Sequence, residues 1–300
     1  MATSISIISN QYLIAETFEA IQALTNKKLA LPDTEEKPTL EELVERTGNS
    51  EAVLVGLSAE ITKEYLDACP SVKYIGVLGS SMANIDIEAV KEKSIILKNA
   101  THYGDEPTGE YIFMQLISLA RGIGDYQWKS EPCELYGKSI GIIGPGAVGT
   151  PIAKLAKAFH MDVSYFGTSK KAELDEAEIK FKSKKELLKD SDIVVLTPPS
   201  NTQVLADEDF AIMKSNSILV SISMGNPFDR ASFLKWIAKD DNFAILDMAS
   251  GIENYKIYSQ LPNVVFPKVI AGHSYETKQR LGRQVVANLK KYLDGNQVNI

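Results

Sequence analysis

Gly144-Pro145-Gly146-Ala147-Val148-Gly149 spells G-x-G-x-x-G, a pattern that alone says little. Its setting says more. It follows the apolar run Ser139-Ile140-Gly141-Ile142-Ile143 and opens a helical stretch whose apolar face is Ile152, Leu155, Ala156 and Phe159. Strand, glycine turn and helix in that order bring unpaired backbone N–H groups and the positive end of a helix dipole to one point, where an anion is stabilised. Gly144 permits the tight turn, Gly146 lets the backbone approach a pyrophosphate, and Gly149 lets helix and strand pack closely. The competing reading is a glycine-rich turn that holds no ligand.

A carboxylate at the end of the next strand would hydrogen-bond the ribose of NAD and repel a 2′-phosphate. That strand ends at Phe166-Gly167, eighteen residues past Gly149, and is followed by Thr168, Ser169, Lys170 and Lys171. A missing carboxylate, two hydroxyls and two ammonium groups suit a phosphate, so NADP is expected and NAD is the lesser expectation. The alternative is that Lys170 and Lys171 are solvated residues of a turn.

The elements that would hold this loop are legible in the hydropathy. Short apolar runs at 5–8, 52–55, 72–77 and 95–97, separated by polar and helical stretches, mark a first parallel-sheet unit. A long periodic helix is expected from about Pro107 to Arg121, and Pro32 to Glu36 reads as a loop or edge. A second unit restarts at Ser139 and continues through runs at 163–166, 193–196, 218–222 and 244–246. Ser183 with Glu186 three residues on predicts a capping box, and a last helix begins after Ser274.

Composition closes off other classes. The 300 residues suit about two domains, and a net charge of −7 without a long basic run argues against nucleic acid. Cys69 and Cys133 stand in no metal or disulfide spacing, and His102, His160 and His273 are scattered, so no metal site is expected. Nothing at the start reads as a signal or membrane span, and a cytoplasmic location is expected.

The chain resembles the D-isomer-specific 2-hydroxyacid dehydrogenase family over nearly its whole length. The resemblance runs from Asn84-Ile85-Asp86 through Gly109-Glu110, Trp128, Gly137-Lys138, the glycine loop and Asp192-Ile193-Val194. It continues through Leu219 to Asp229, Leu246-Asp247, Leu261-Pro262-Asn263-Val264 and Ile270-Ala271-Gly272. It implies an α/β protein of two Rossmann/flavodoxin-like parallel-sheet domains with a cleft between them. The substrate domain would be 1–100 plus 274–300, and the dinucleotide domain 101–273. A homodimer is implied too. So are cofactor contacts from Thr197, Pro198, Ser223, Met224 and Asp247, and substrate contacts from Gly79, Ser80, Ser81 and Met82.

The family needs an Arg to clamp a substrate carboxylate, a His as acid and base, and a carboxylate to orient that His. Those positions fall here on Met224, Val269 and Ile252, with Glu253 one place off register. A general acid or base contributes about 10²–10⁴ in rate, roughly 3–5 kcal/mol, and each charge-assisted bond of a clamp about 1.5–3 kcal/mol. Reduction of a 2-keto acid by the family route is therefore not expected.

Replacement groups are His102 and Tyr103, His273, and Lys268, although adjacent residues on extended chain point oppositely and Lys268 should face away from Val269. The expected function is an NADP-dependent reductase of an imine, activated alkene or carbonyl held without a carboxylate clamp, with Ile252 and Val269 in an apolar pocket. A non-catalytic dinucleotide-binding scaffold is the alternative. A 2-keto acid reductase with relocated groups is the third reading.

Overall fold

The computed structural model describes residues 4–10, 12–32, 37–239 and 241–295, so most of the expected loop or edge from Pro32 to Glu36 lies outside the described residues. The chain divides into two compact units, Met1–Tyr103 with Ser274–Ile300, and Gly104–His273.

The first unit begins with β1 (Ile5–Ile7), α1 (Ala15–Gln22), α2 (Leu40–Thr47), β2 (Ala52–Val55) and α3 (Lys63–Ala68). It continues with β3 (Tyr74–Val77), α4 (Ile87–Glu92) and β4 (Ile96–Lys98). The four strands are parallel in the order β1-β2-β3-β4. This is a flavodoxin-like sheet in which, among the described residues, no strand occupies the edge place between α1 and α2. Val53 and Val55 face one apolar cluster while Ala52 and Leu54 face the other, so both sides of β2 are covered. That is why the strands read as unbroken apolar runs.

The second unit opens with α5 (Asp105–Arg121), β5 (Ser139–Ile143), α6 (Gly149–Ala158), β6 (Asp162–Phe166), α7 (Ala172–Glu176) and β7 (Lys180–Phe181). Next come α8 (Lys184–Asp190), β8 (Ile193–Leu196), α9 (Asp207–Ile212), β9 (Ile218–Ser221) and α10 (Arg230–Ile237). It closes with β10 (Phe243–Leu246), α11 (Met248–Gly251), α12 (Tyr255–Tyr258) and β11 (Val264–Val265). Seven parallel strands lie in the order β11-β10-β9-β8-β5-β6-β7, a doubly wound Rossmann order with one strand added beyond the sixth. The order reverses at β5, so the loop after β5 stands at the topological switch point, where open α/β sheets take ligands. Ser183 caps α8 in a reciprocal box with Glu186, as its spacing predicts.

The chain returns to the first unit as α13 (Tyr275–Leu293), capped by Ser274, whose hydroxyl accepts the Thr277 amide. Leu281, Val285 and Leu289, four residues apart, bury one stripe of α13 in the first unit's core. The same helix claims residues 101–103, which the sequence places with the second unit. Gln284 pairs with both backbone groups of Thr101 (3.0 and 2.9 Å), and Arg280 Nε donates to the Tyr103 carbonyl (2.8 Å). The boundary therefore falls after Tyr103 rather than Ala100.

Candidate functional site

The glycine loop has three different reasons for its three glycines. Gly144 sits at φ +93°, and a Cβ there would lie 2.6 Å from the Thr197 carbonyl oxygen. A Cβ on Gly149 would lie 2.5 Å from the Gly144 carbonyl and 2.5 Å from Thr197 Oγ1, so helix and turn touch only because the side chain is absent. A Cβ on Gly146 would meet nothing within 4 Å. Gly146 is thus bare toward open space, not toward protein, as an approach surface for a pyrophosphate requires. Ala147 is exposed beside it, and Val148 begins α6 without a side-chain cap, leaving the helix end to a ligand. These residues fit a dinucleotide phosphate.

Gly167 at the end of β6 also has a packing cause. A Cβ there would lie 2.9 Å from Pro145 Cδ, so the place of the usual ribose-binding carboxylate is held bare by the glycine loop itself. Thr168, Ser169, Lys170 and Lys171 are exposed, and Lys170 Nζ lies 6.0 Å from the Phe181 ring centroid. The Lys171 amide donates to the Tyr165 hydroxyl (2.8 Å), which pairs in turn with Asp175 (3.3 Å), so the exit of this turn is anchored to a buried ring.

At the same sheet edge several expected contact residues also brace the backbone. Thr197 Oγ1 donates to the Gly144 carbonyl (2.7 Å), and Ser223 Oγ donates to the Pro198 carbonyl (3.0 Å). Asp247 is 1% exposed, with one carboxylate oxygen accepting the Ser250 amide and the other the Ala271 amide, both at 2.9 Å. Burial pushes its carboxyl above the usual range, against the pull of these amides. Asp247 therefore clamps β10 to the 270–272 turn.

Met224, Ile252 and Val269, the positions to which the resemblance assigns Arg, Glu and His, lie in the connections leaving β9, β10 and β11, which are adjacent strands. Met224 is 36% exposed, Ile252 61% and Val269 44%. The Met248 amide donates to the Val269 carbonyl (2.9 Å), which ties the second and third connections together. Lys268 Nζ lies 5.3 Å from the Tyr255 ring centroid, in a bend after β11 where the Val269 amide donates to the Pro267 carbonyl (2.8 Å), so the extended-chain alternation expected for 268 and 269 does not apply.

Sequence reasoning passed over Asn226 and Asn254. Asn226 Nδ2 donates to Glu253 Oε2 (3.2 Å), and the buried Asn254 reaches Asn226 Oδ1 (3.5 Å). The one available signal was Glu253 itself, a carboxylate beside the family position.

The remaining candidates belong to the first unit or end the second. Gly79 is buried, with Tyr103 Oη 3.7 Å from where its Cβ would be, and its carbonyl accepts the Ala100 amide. The Ser80 carbonyl accepts Asn99 Nδ2 (2.7 Å), and Ser81 Oγ accepts the Ala83 amide (3.3 Å). Met82 packs against the core of its own unit. His102 takes a left-handed φ of +58°, and the His273 amide closes a turn onto the Ile270 carbonyl (3.0 Å). Among the described residues no group of three or more His, Cys, Asp or Glu could hold a metal, and no helix is long and apolar enough to cross a membrane.

Residues 113–269, the strand-and-turn region just described, match the family described as D-isomer specific 2-hydroxyacid dehydrogenase, NAD binding domain. The chain belongs to the D-isomer specific 2-hydroxyacid dehydrogenase family. It is thus a member of an oxidoreductase family with a dinucleotide-binding domain. The glyoxylate reductase of Pyrococcus furiosus is 28% identical over 283 residues, covering 85% of this chain and 83% of that protein. The hydroxypyruvate reductase of Blautia hydrogenotrophica is 26% identical over 283 residues, covering 87% and 88%. Among solved structures, an acyclic imino acid reductase in complex with NADPH and D-arginine superposes with a TM-score of 0.81 at 26% identity, covering 98% of each chain.

Proposed function

We propose that this family member is an NADPH-dependent reductase of a carbon–nitrogen double bond, working without a carboxylate clamp. One juxtaposition supports the reading. A glycine turn that fits a dinucleotide phosphate lies at the same sheet edge as the exposed apolar side chains Met224, Ile252 and Val269, the positions to which the family resemblance assigns charged or proton-bearing groups.

When bound, the nicotinamide supplies hydride; what remains for the protein is to orient and desolvate the acceptor. A ketone needs help with the negative charge that grows on its oxygen, and Met224 and Val269 offer none. A protonated imine carries its positive charge into the reaction and ends as a neutral amine, so it needs neither a general acid nor an oxyanion donor. The apolar trio then excludes water and shapes the pocket. His102, Tyr103 and His273 stay as proposed contributors to positioning.

Two features favour NADPH: the bare Gly167 turn with Lys170 and Lys171, and the NADPH bound to the imino acid reductase of similar sequence. The names of the glyoxylate and hydroxypyruvate reductases favour a 2-keto acid, but with Met224, Ile252 and Val269 at the positions the resemblance assigns to clamp, orienting carboxylate and acid, that chemistry would go without them. The reading includes a homodimer and a cytoplasmic location; sedimentation of the purified chain checks the first. Fluorescence titration with NADPH and NADH at physiological salt tests the cofactor. Micromolar NADPH with NADH at least tenfold weaker is expected, and equal affinities would remove the phosphate pocket from the account.

A further inference from the structure

A small cavity of about 30 Å³ lies between the Gly225-Asn226 turn after β9 and residues 249–253 after β10. It has room for about one water-sized group. Of the side chains that bound it, Glu253 carries the single ionisable one. The carboxylate is not loose. Asn254 is buried and sets Asn226 through its amide oxygen, and Asn226 donates its amide N–H to Glu253 Oε2 at 3.2 Å. One carboxylate oxygen is thereby fixed, and among the described residues no further partner holds the other.

The backbone is built for this pairing. Gly225 stands at φ +91°, and a Cβ on it would lie 2.2 Å from Asn201 Oδ1, while the Asn201 amide donates to the Met224 carbonyl (2.9 Å). The tight turn swings residue 226 toward Glu253. Met224 and Val269 are apolar, and Lys268 is turned onto the Tyr255 ring. Glu253 and Asn226 are both exposed, and a cation arriving here meets a carboxylate with one oxygen already oriented, with which it forms a charge-assisted hydrogen bond stronger than a neutral one.

We propose that Glu253 is a specificity residue that pairs with a cationic nitrogen of the substrate, so that the site selects iminium and ammonium compounds over 2-keto acids. This deepens the reading of the chain as an imine reductase and rests on it for the identity of the reacting group. It inverts the charge logic of an arginine clamp: protein anion and substrate cation in place of protein cation and substrate anion.

The test is calorimetric binding to the NADP⁺-loaded chain of pyrrolidine, a ring cation at neutral pH, and of tetrahydrofuran, the same ring without charge. Wild type is expected to bind pyrrolidine at least tenfold tighter than tetrahydrofuran. Glu253→Gln keeps the shape and an acceptor for Asn226, and is expected to lose at least tenfold of the pyrrolidine affinity, about 1.4 kcal/mol, with NADP⁺ affinity unchanged. Glu253→Asp should retain part of it. No preference for the cation in wild type, or an unchanged affinity in Glu253→Gln, overturns the proposal. Turnover of 1-pyrroline with NADPH, run in parallel, judges the underlying reading separately. Turnover with an unchanged KM in Glu253→Gln removes the role of Glu253 and leaves the imine reductase standing. Loss of binding in Glu253→Gln with no 1-pyrroline turnover by wild type supports the role of Glu253 and removes imine reduction.

Discussion

At the residue scale the three glycines of the loop make separable predictions. Gly144→Ala puts a Cβ at a left-handed φ and 2.6 Å from a backbone carbonyl, so stability should fall by about 1–3 kcal/mol or more, read by urea denaturation. Gly146→Ala meets open space, so its denaturation midpoint should stay within about 0.5 kcal/mol of wild type while NADPH affinity falls at least tenfold. Equal effects of both substitutions on stability would mean that Gly146 is a structural glycine. Lys170→Ala should weaken NADPH by about fivefold and leave NADH unchanged, since an exposed ion pair with phosphate is worth little more than that. The turn, the close packing at Gly144 and Gly149, and the flanking strand and helix were legible in the spacing of the loop. The roles of Thr197, Ser223 and Asp247 were not, because a side chain spent on a carbonyl or amide of a neighbouring strand looks, in sequence, the same as one facing a ligand.

At the scale of elements, the connections leaving β9, β10 and β11 carry the residues on which the proposed chemistry rests. Their apolar residues are 36%, 61% and 44% exposed, so Met224→Arg, Ile252→Glu and Val269→His together should cost the fold little. The triple variant should gain NADPH-dependent reduction of glyoxylate, measured as loss of NADPH absorbance; no gain would mean that the strand ends no longer hold the family geometry. The opposite end of the sheet is braced by Asp192. Burial alone would raise its carboxyl, but the Ser139 amide, the Lys214 ammonium at 2.9 Å and the Ser139 hydroxyl hold it below the usual range. A lowered carboxyl stabilises the fold above the ordinary carboxylate range, and that contribution is lost as pH falls through the depressed value. Lys214 is 38% exposed, so screening limits the pair to about 0.5–1 kcal/mol. Lys214→Met should therefore lower stability by that amount at pH 7 and by nothing once Asp192 is protonated, as denaturation across acid pH would show. The strands were legible because both faces of each are buried. β7 and β11, two residues each, were too short to carry a period, and Glu253 meets Asn226 across 27 residues only because β9 and β10 run in register.

At the scale of the whole molecule, the second unit is one contiguous stretch, whereas the first is closed by a helix from the far end of the chain. Residues 104–273 expressed alone should fold and bind NADPH within about threefold of the full chain, by the same titration; residues 1–103 alone should not fold, since the α13 stripe of Leu281, Val285 and Leu289 would be missing from its core. The boundary at 103 rather than 100 was hidden from the sequence because it is set by Gln284 and Arg280, more than 170 residues away. The central claim is that this family member has exchanged keto acid chemistry for reduction of a cationic carbon–nitrogen double bond. It is tested most directly by the kcat/KM of the wild-type chain for 1-pyrroline and for glyoxylate, with saturating NADPH in the same buffer. A ratio of at least a hundredfold in favour of 1-pyrroline is expected, about 2.7 kcal/mol of transition-state preference. Efficient reduction of glyoxylate with no turnover of 1-pyrroline would contradict it.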